Sequence, residues 1–227
     1  MTSDVVHDAT VWILPILIAV TFHEAAHGYV AYLLGDDTAW RLGRVTLNPI
    51  KHVDLFGTIL LPGMLVLAGS RFLFGYAKPV PVNFGALRWR RLGMVLVAAA
   101  GPGMNIALAL LAGLAFHLVD YLPQIGAQWL AENLRNALFL NVVLAVFNLF
   151  PLPPLDGGRI LVGVLPPPLD RIVARLEPFG MVILLGVLIV LPLLGGQLGI
   201  NLSVVLRWLN VATGTLFDAI VRLTGNG

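Results

Sequence analysis

The chain contains no cysteine, which excludes disulfides and every thiolate metal site. It also has little charge. Only 11% of its 227 residues are Asp, Glu, Lys or Arg, against about 25% in soluble domains. Its serines are Ser3, Ser70 and Ser203, and none sits beside a base within an apolar run. That argues against a serine hydrolase working at membrane depth. The first ten residues hold no Lys or Arg, and no small-residue cleavage site follows the apolar segment after them. That segment is therefore expected to stay as a membrane span rather than leave as a signal peptide.

Apolar residues fill the composition instead: 58% are hydrophobic and the mean hydropathy is +0.89. A helix needs about 20 mostly apolar residues to cross the hydrocarbon layer. Candidate spans lie at 11–34, 93–118, 131–152, 178–196 and 200–222, with a shorter apolar stretch at 55–69. The expected fold class is an all-α polytopic membrane protein of about six membrane segments, with little mass outside the bilayer.

The fourteen Lys and Arg residues are unevenly spread. Eight lie between the first span and the span starting near 93, at 41, 44, 51, 71, 78, 88, 90 and 91, and none lies in 119–130. By the positive-inside rule, 35–92 faces the cytoplasm and 119–130 faces out. A full crossing at 55–69 would carry Arg88, Arg90 and Arg91 outside. That stretch is short and holds Gly57, Pro62, Gly63 and Gly69, so it is expected to re-enter rather than span. The flanking segments, Gly43–Pro49 and Tyr76–Asn83, are β-branched and punctuated by proline. They are expected either to form a small membrane-associated β element or to remain irregular loops.

Within the first span the sequence reads His23-Glu24-Ala25-Ala26-His27. Ionisable side chains at this depth are costly and mark function. Two histidines four apart share one helix face and can bind one metal ion, with the glutamate beside them as a candidate base. A catalytic zinc site takes three protein ligands and keeps one position open. His7, His52 and His117 lie in the outer tail, the cytoplasmic loop and the outer end of a span, so none is well placed as the third. Asp156 is better placed, in Asn148-Leu149-Phe150-Pro151-Leu152-Pro153-Pro154-Leu155-Asp156-Gly157-Gly158-Arg159. The prolines break the helix starting near 131, and the glycines let the chain turn close to other backbone. A turn or capping aspartate is the plain alternative. Under the topology above, the first span and 131–152 both run inward, so His23, His27 and Asp156 can meet on the cytoplasmic side.

Three blocks resemble the site-2 protease family of intramembrane zinc metalloproteases. Phe22 to His27 is similar to its zinc helix, Ala100-Gly101-Pro102-Gly103-Met104-Asn105 to its core-helix Gly-Pro-x-x-Asn, and Asn148 to Arg159 to its Asn-x-x-Pro and Leu-Asp-Gly motif. Order and spacing match across about residues 11–165. The resemblance implies zinc held by His23, His27 and Asp156, with Glu24 as catalytic base. It also implies that the β elements help hold substrate in extended form. The expected division is a protease core at 1–165 and two additional transmembrane helices at 166–227, without a PDZ-like or nucleotide-sensing domain.

The expected activity is hydrolysis of peptide bonds in or near transmembrane segments of membrane proteins, in a prokaryotic cell membrane with the site toward the cytoplasm. Asn105 and Asn148, amides in apolar spans, are candidates to bind substrate backbone, with helix–helix hydrogen bonding as the alternative. Asn141, on the same span as Asn148, reads as structural. The bilayer and a membrane-protein substrate are the expected partners. Nucleic acid is not, and oligomeric state is open. The rival function is a metal-binding membrane protein, either a transporter or an inactive relative. No internal repeat of the transporter kind is visible, and a transporter gains nothing from Glu24. An aspartyl protease would need Asp120 and Asp156 together, and they lie near opposite faces.

Overall fold

A computed structural model describes residues 2–54, 57, 60, 64, 77–197 and 204–227. The helices are α1 (Thr2–Leu33), α2 (Thr38–Arg41), α3 (Arg90–Ala115), α4 (Gln124–Asn148), α5 (Asp156–Val164), α6 (Leu169–Ala174), α7 (Gly180–Leu185), α8 (Leu191–Gln197) and α9 (Val204–Leu223). Four helical stretches among the described residues are long and apolar enough to cross a membrane: Thr10–Leu33, Arg90–Tyr121, Gly126–Asn148 and Leu169–Gly195. The last is assembled from successive short helical pieces, and α6 starts directly after the Pro166–Pro168 run. The protein is an integral membrane protein. Trp12, Ile13, Leu14, Ile16, Leu17 and Ile18 of α1 are all exposed, an arrangement that suits lipid and would be costly in water.

α3 is the hub, packed against α1, α4 and α5. Its small residues Ala98, Gly101, Ala109, Ala112 and Gly113 are buried, which lets neighbouring backbones approach closely, as is common in membrane bundles. Ala109 and Ala112 form one apolar cluster with Leu138 and Val142 of α4 and Ile220 of α9. The last helix is thus packed onto α3 and α4.

α1 and α4 run in the same direction. At their starts, Trp129 Nε1 donates to Thr10 Oγ1 at 3.2 Å and Asn136 Nδ2 to the Val11 carbonyl at 2.9 Å. His7 and Glu132 pair there as well, at 2.5 Å. At the other end, His23 and His27 meet Asp156, eight residues past the end of α4. α3 enters beside the end of α1, where Arg88 N donates to the Leu34 carbonyl at 2.9 Å. The chain therefore leaves α1 and enters α3 at the same end of the bundle. The expectation of a re-entrant segment at 55–69 falls almost wholly outside the described residues, as does all of 65–76.

There is no strand among the described residues, so the expected β element is not seen there. Residues 77–83 carry no regular secondary structure and join no ladder. Pro79 and Pro81 have no N–H to give to a ladder, and the carbonyls of Lys78 and Pro79 accept from Arg44 Nη2 at 2.7 and 3.4 Å instead. Three other backbone donors on this strap go to three different partners. Lys78 N donates to the His52 carbonyl at 2.9 Å. Val80 N donates to Glu24 Oε2 at 2.7 Å. Asn83 N donates to Asp36 Oδ2 at 2.6 Å.

Candidate metal centre

His23 and His27 lie one turn apart on α1, and Asp156 opens α5; all three are buried. The break between α4 and α5 is local chemistry. α4 stops at Asn148, before Pro151, Pro153 and Pro154. Gly157 and Gly158 then pass so close to the turn that a side chain has no room. A methyl on Gly157 would strike the Leu149 and Phe150 carbonyls, and one on Gly158 would strike the Leu152–Pro153 backbone. The glycine pair is what lets the first turn of α5 fold back toward α1.

The two imidazoles stand nearly perpendicular, with ring centres 4.7 Å apart. His23 Nδ1 faces Asn105 Oδ1 at 2.6 Å, and His27 Nδ1 faces the Val97 carbonyl at 2.7 Å. Both partners are acceptors, so each ring carries its proton on Nδ1 and turns a bare Nε2 lone pair inward. Those two Nε2 atoms are 3.1 Å apart, and each lies 3.3 Å from Asp156 Oδ2. That oxygen is buried and makes no well-aligned hydrogen bond. Three electron-rich atoms at such separations repel one another unless a proton or a metal cation lies among them. Donors around tetrahedral zinc, at about 2.0–2.2 Å from the ion, are about 3.3 Å from each other. The donor set, its spacing and the orphaned oxygen therefore fit zinc.

Space for this arrangement comes from Gly101 on α3. A methyl there would overlap His27 Nε2 and the His23 ring. The next residue, Pro102, cannot donate to the Ala98 carbonyl, and it stands beside the turn whose Val97 carbonyl receives His27.

Glu24 lines the same cavity of about 420 Å³ as His23, His27, Asp156 and Asn148, with Val80 and Phe147 in its wall. Asn148 Nδ2 donates back to the Leu144 carbonyl of its own helix at 3.0 Å. Asn105 does not line this cavity. It is fully buried behind His23, which is where its amide is used. The role of the Val97 carbonyl carries no sequence signal, because any residue can supply a backbone carbonyl, and Gly101 is visible in the sequence only as part of the Gly-Pro-x-x-Asn block.

The profile of peptidase family M50 matches residues 124–191, the part carrying Asn148 and Asp156. A relative named "Putative zinc metalloprotease YwhC", from Bacillus subtilis (strain 168), is 43% identical over 188 residues, covering 80% of this chain and 80% of that protein. The chain belongs to peptidase family M50. This is the site-2 protease family, whose zinc metalloproteases fit the His-His-Asp cluster found here. "Putative zinc metalloprotease Rip2" of Mycobacterium tuberculosis (strain ATCC 25618 / H37Rv) is 32% identical over 180 residues, 79% of this chain and 66% of that protein. No solved structure matches the chain significantly.

Proposed function

We propose that this M50 metalloprotease is an intramembrane endopeptidase that cuts membrane proteins in or near their transmembrane segments, with Glu24 as general base. The observation that carries the reading is the cluster of three bare donors, His23 Nε2, His27 Nε2 and Asp156 Oδ2, opening on the cavity that also holds Glu24. These three would hold the zinc ion. When bound, zinc supplies Lewis acidity, making water a nucleophile near neutral pH and polarising the scissile carbonyl.

The chain's own groups do the rest. Glu24 accepts the proton of the attacking water and passes it to the leaving amine. Its Oε2 is engaged by the Val80 N–H, which aims the carboxylate and leaves Oε1 for the proton. Asn148 faces the cavity with its carbonyl oxygen uncommitted, in position to meet a substrate amide N–H. Buried apolar walls restrict the water that enters, and the low dielectric strengthens each of these contacts.

The basic loops near 41–51 and 88–91 support a site toward the cytoplasmic side of a cell membrane. α1 and α4 run in parallel, so the inward direction assigned to one applies to the other.

The deciding experiment uses detergent-solubilised protein and a model single-span substrate, with zinc content measured alongside cleavage. Glu24→Gln is expected to lower cleavage by at least about 100-fold while zinc stays bound. Retained cleavage in that variant would remove Glu24 as the base. Zinc binding without cleavage by the unaltered protein would favour a binding or transport role.

A further inference from the structure

We propose that Asn105 and Asn141 form a two-amide relay that sets which nitrogen of His23 carries its proton, and so keeps His23 competent to bind metal. The inference rests on reading His23 as a ligand.

An asparagine side chain has a donor face and an acceptor face of nearly the same shape. If Asn105 presented its NH₂ to His23 Nδ1, the ring proton would have to move to Nε2. It would then sit among the three donor atoms, where the metal belongs. The direction of one amide therefore decides whether the centre is a ligand set or a blocked one.

That direction is dictated by partners behind Asn105. Its Nδ2 donates to Asn141 Oδ1 at 2.7 Å and to the Ala19 carbonyl at 3.3 Å. Asn141 Nδ2 in turn donates to the Ala137 carbonyl at 2.8 Å, one turn back on its own helix. Both side chains are nearly inaccessible, at 0% and 2%. Turning both amides over would press Asn105 Oδ1 against the Ala19 carbonyl and Asn141 Oδ1 against the Ala137 carbonyl. Backbone carbonyls of a helix cannot turn over in response. The polarity thus starts at fixed carbonyls on α1 and α4 and is handed through two amides to His23. His27 needs no relay, because Val97 meets its Nδ1 with a backbone carbonyl directly. Asn105 and Asn141 are positioning residues, and neither faces the cavity. Loss of such a partner behind a metal-bound histidine lowers metal affinity by about 10–100-fold.

The test measures zinc affinity of the purified full-length protein by chelator competition, and the visible spectrum of the cobalt-substituted form. Asn105→Ala and Asn141→Leu are each expected to weaken zinc binding by about 10–100-fold and to shift the cobalt bands. The double variant is expected to be no weaker than Asn105→Ala alone, because both changes cut one chain of bonds. A purely structural role for Asn141 would give independent, additive losses, and that result overturns the relay. Wild-type affinity and cobalt spectrum in Asn141→Leu also overturn it. Asn141→Leu keeps the branching and heavy-atom count of the side chain and lies one helix away from the centre, so it carries the test if Asn105→Ala does not fold. His23→Ala is the control for the underlying reading. Unchanged zinc affinity there rejects His23 as a ligand, whereas lost affinity there with intact asparagine variants rejects only the relay.

Discussion

At Gly101 a single hydrogen stands between α3 and both imidazoles. Adding a methyl group would move His27 Nε2 and the His23 ring together, so Gly101→Ala is expected to reduce zinc binding by at least about tenfold, on the scale of a lost supporting contact. The melting temperature should fall less than it does for a core-cavity variant. Zinc affinity measured beside thermal unfolding checks this, and unaltered zinc affinity would show that the rings have slack. His23, His27, Glu24 and Asp156, which line one cavity, were legible as candidates in the sequence because ionisable groups are conspicuous in apolar surroundings. Asn105 was legible as a buried amide needing a partner, but not as a neighbour of His23. Which atom an amide meets depends on the rotation of α3 against α1, and the sequence pattern does not contain that angle. Asn141 looked structural for the same reason.

Helices follow composition more closely than contacts do. The expected spans 11–34 and 93–118 correspond to the described Thr10–Leu33 and Arg90–Tyr121, and 131–152 corresponds to Gly126–Asn148. The third ends four residues before its expected limit, because the helix stops ahead of Pro151. The extended segments were harder to read. β-branched, proline-rich sequence points to extended backbone, but pairing depends on which donors remain, and here side chains of Arg44, Asp36 and Glu24 take the places a neighbouring strand would fill. The element most sensitive to a small change is the first turn of α5. Gly157→Ala places a methyl against two backbone carbonyls, which cannot rotate away. It is expected to destabilise the protein by about 1–3 kcal/mol and to move Asp156 away from His23 and His27. Thermal unfolding together with zinc content reads both effects, and a stable, fully zinc-loaded Gly157→Ala protein would show that the turn can open without moving Asp156.

The molecule as a whole offers a direct test of orientation because it lacks cysteine. A cysteine introduced at Ile125 and one at Arg90 are each a unique label. In intact cells an impermeant thiol reagent is expected to modify the first and spare the second until the membrane is opened. The reverse pattern would invert the topology and put the metal centre on the outer side.

The strap across the cavity has a further property. In the run Pro79-Val80-Pro81 only the middle residue owns an amide hydrogen, and that hydrogen is the one docked on Glu24. Sliding the run by one residue in either direction would bring a proline, which has nothing to offer, to the carboxylate. The segment behaves as a key with a single tooth, and its seating is set in the main chain. Most exchanges of the Val80 side chain leave the tooth in place, and of the twenty residues only another proline files it off.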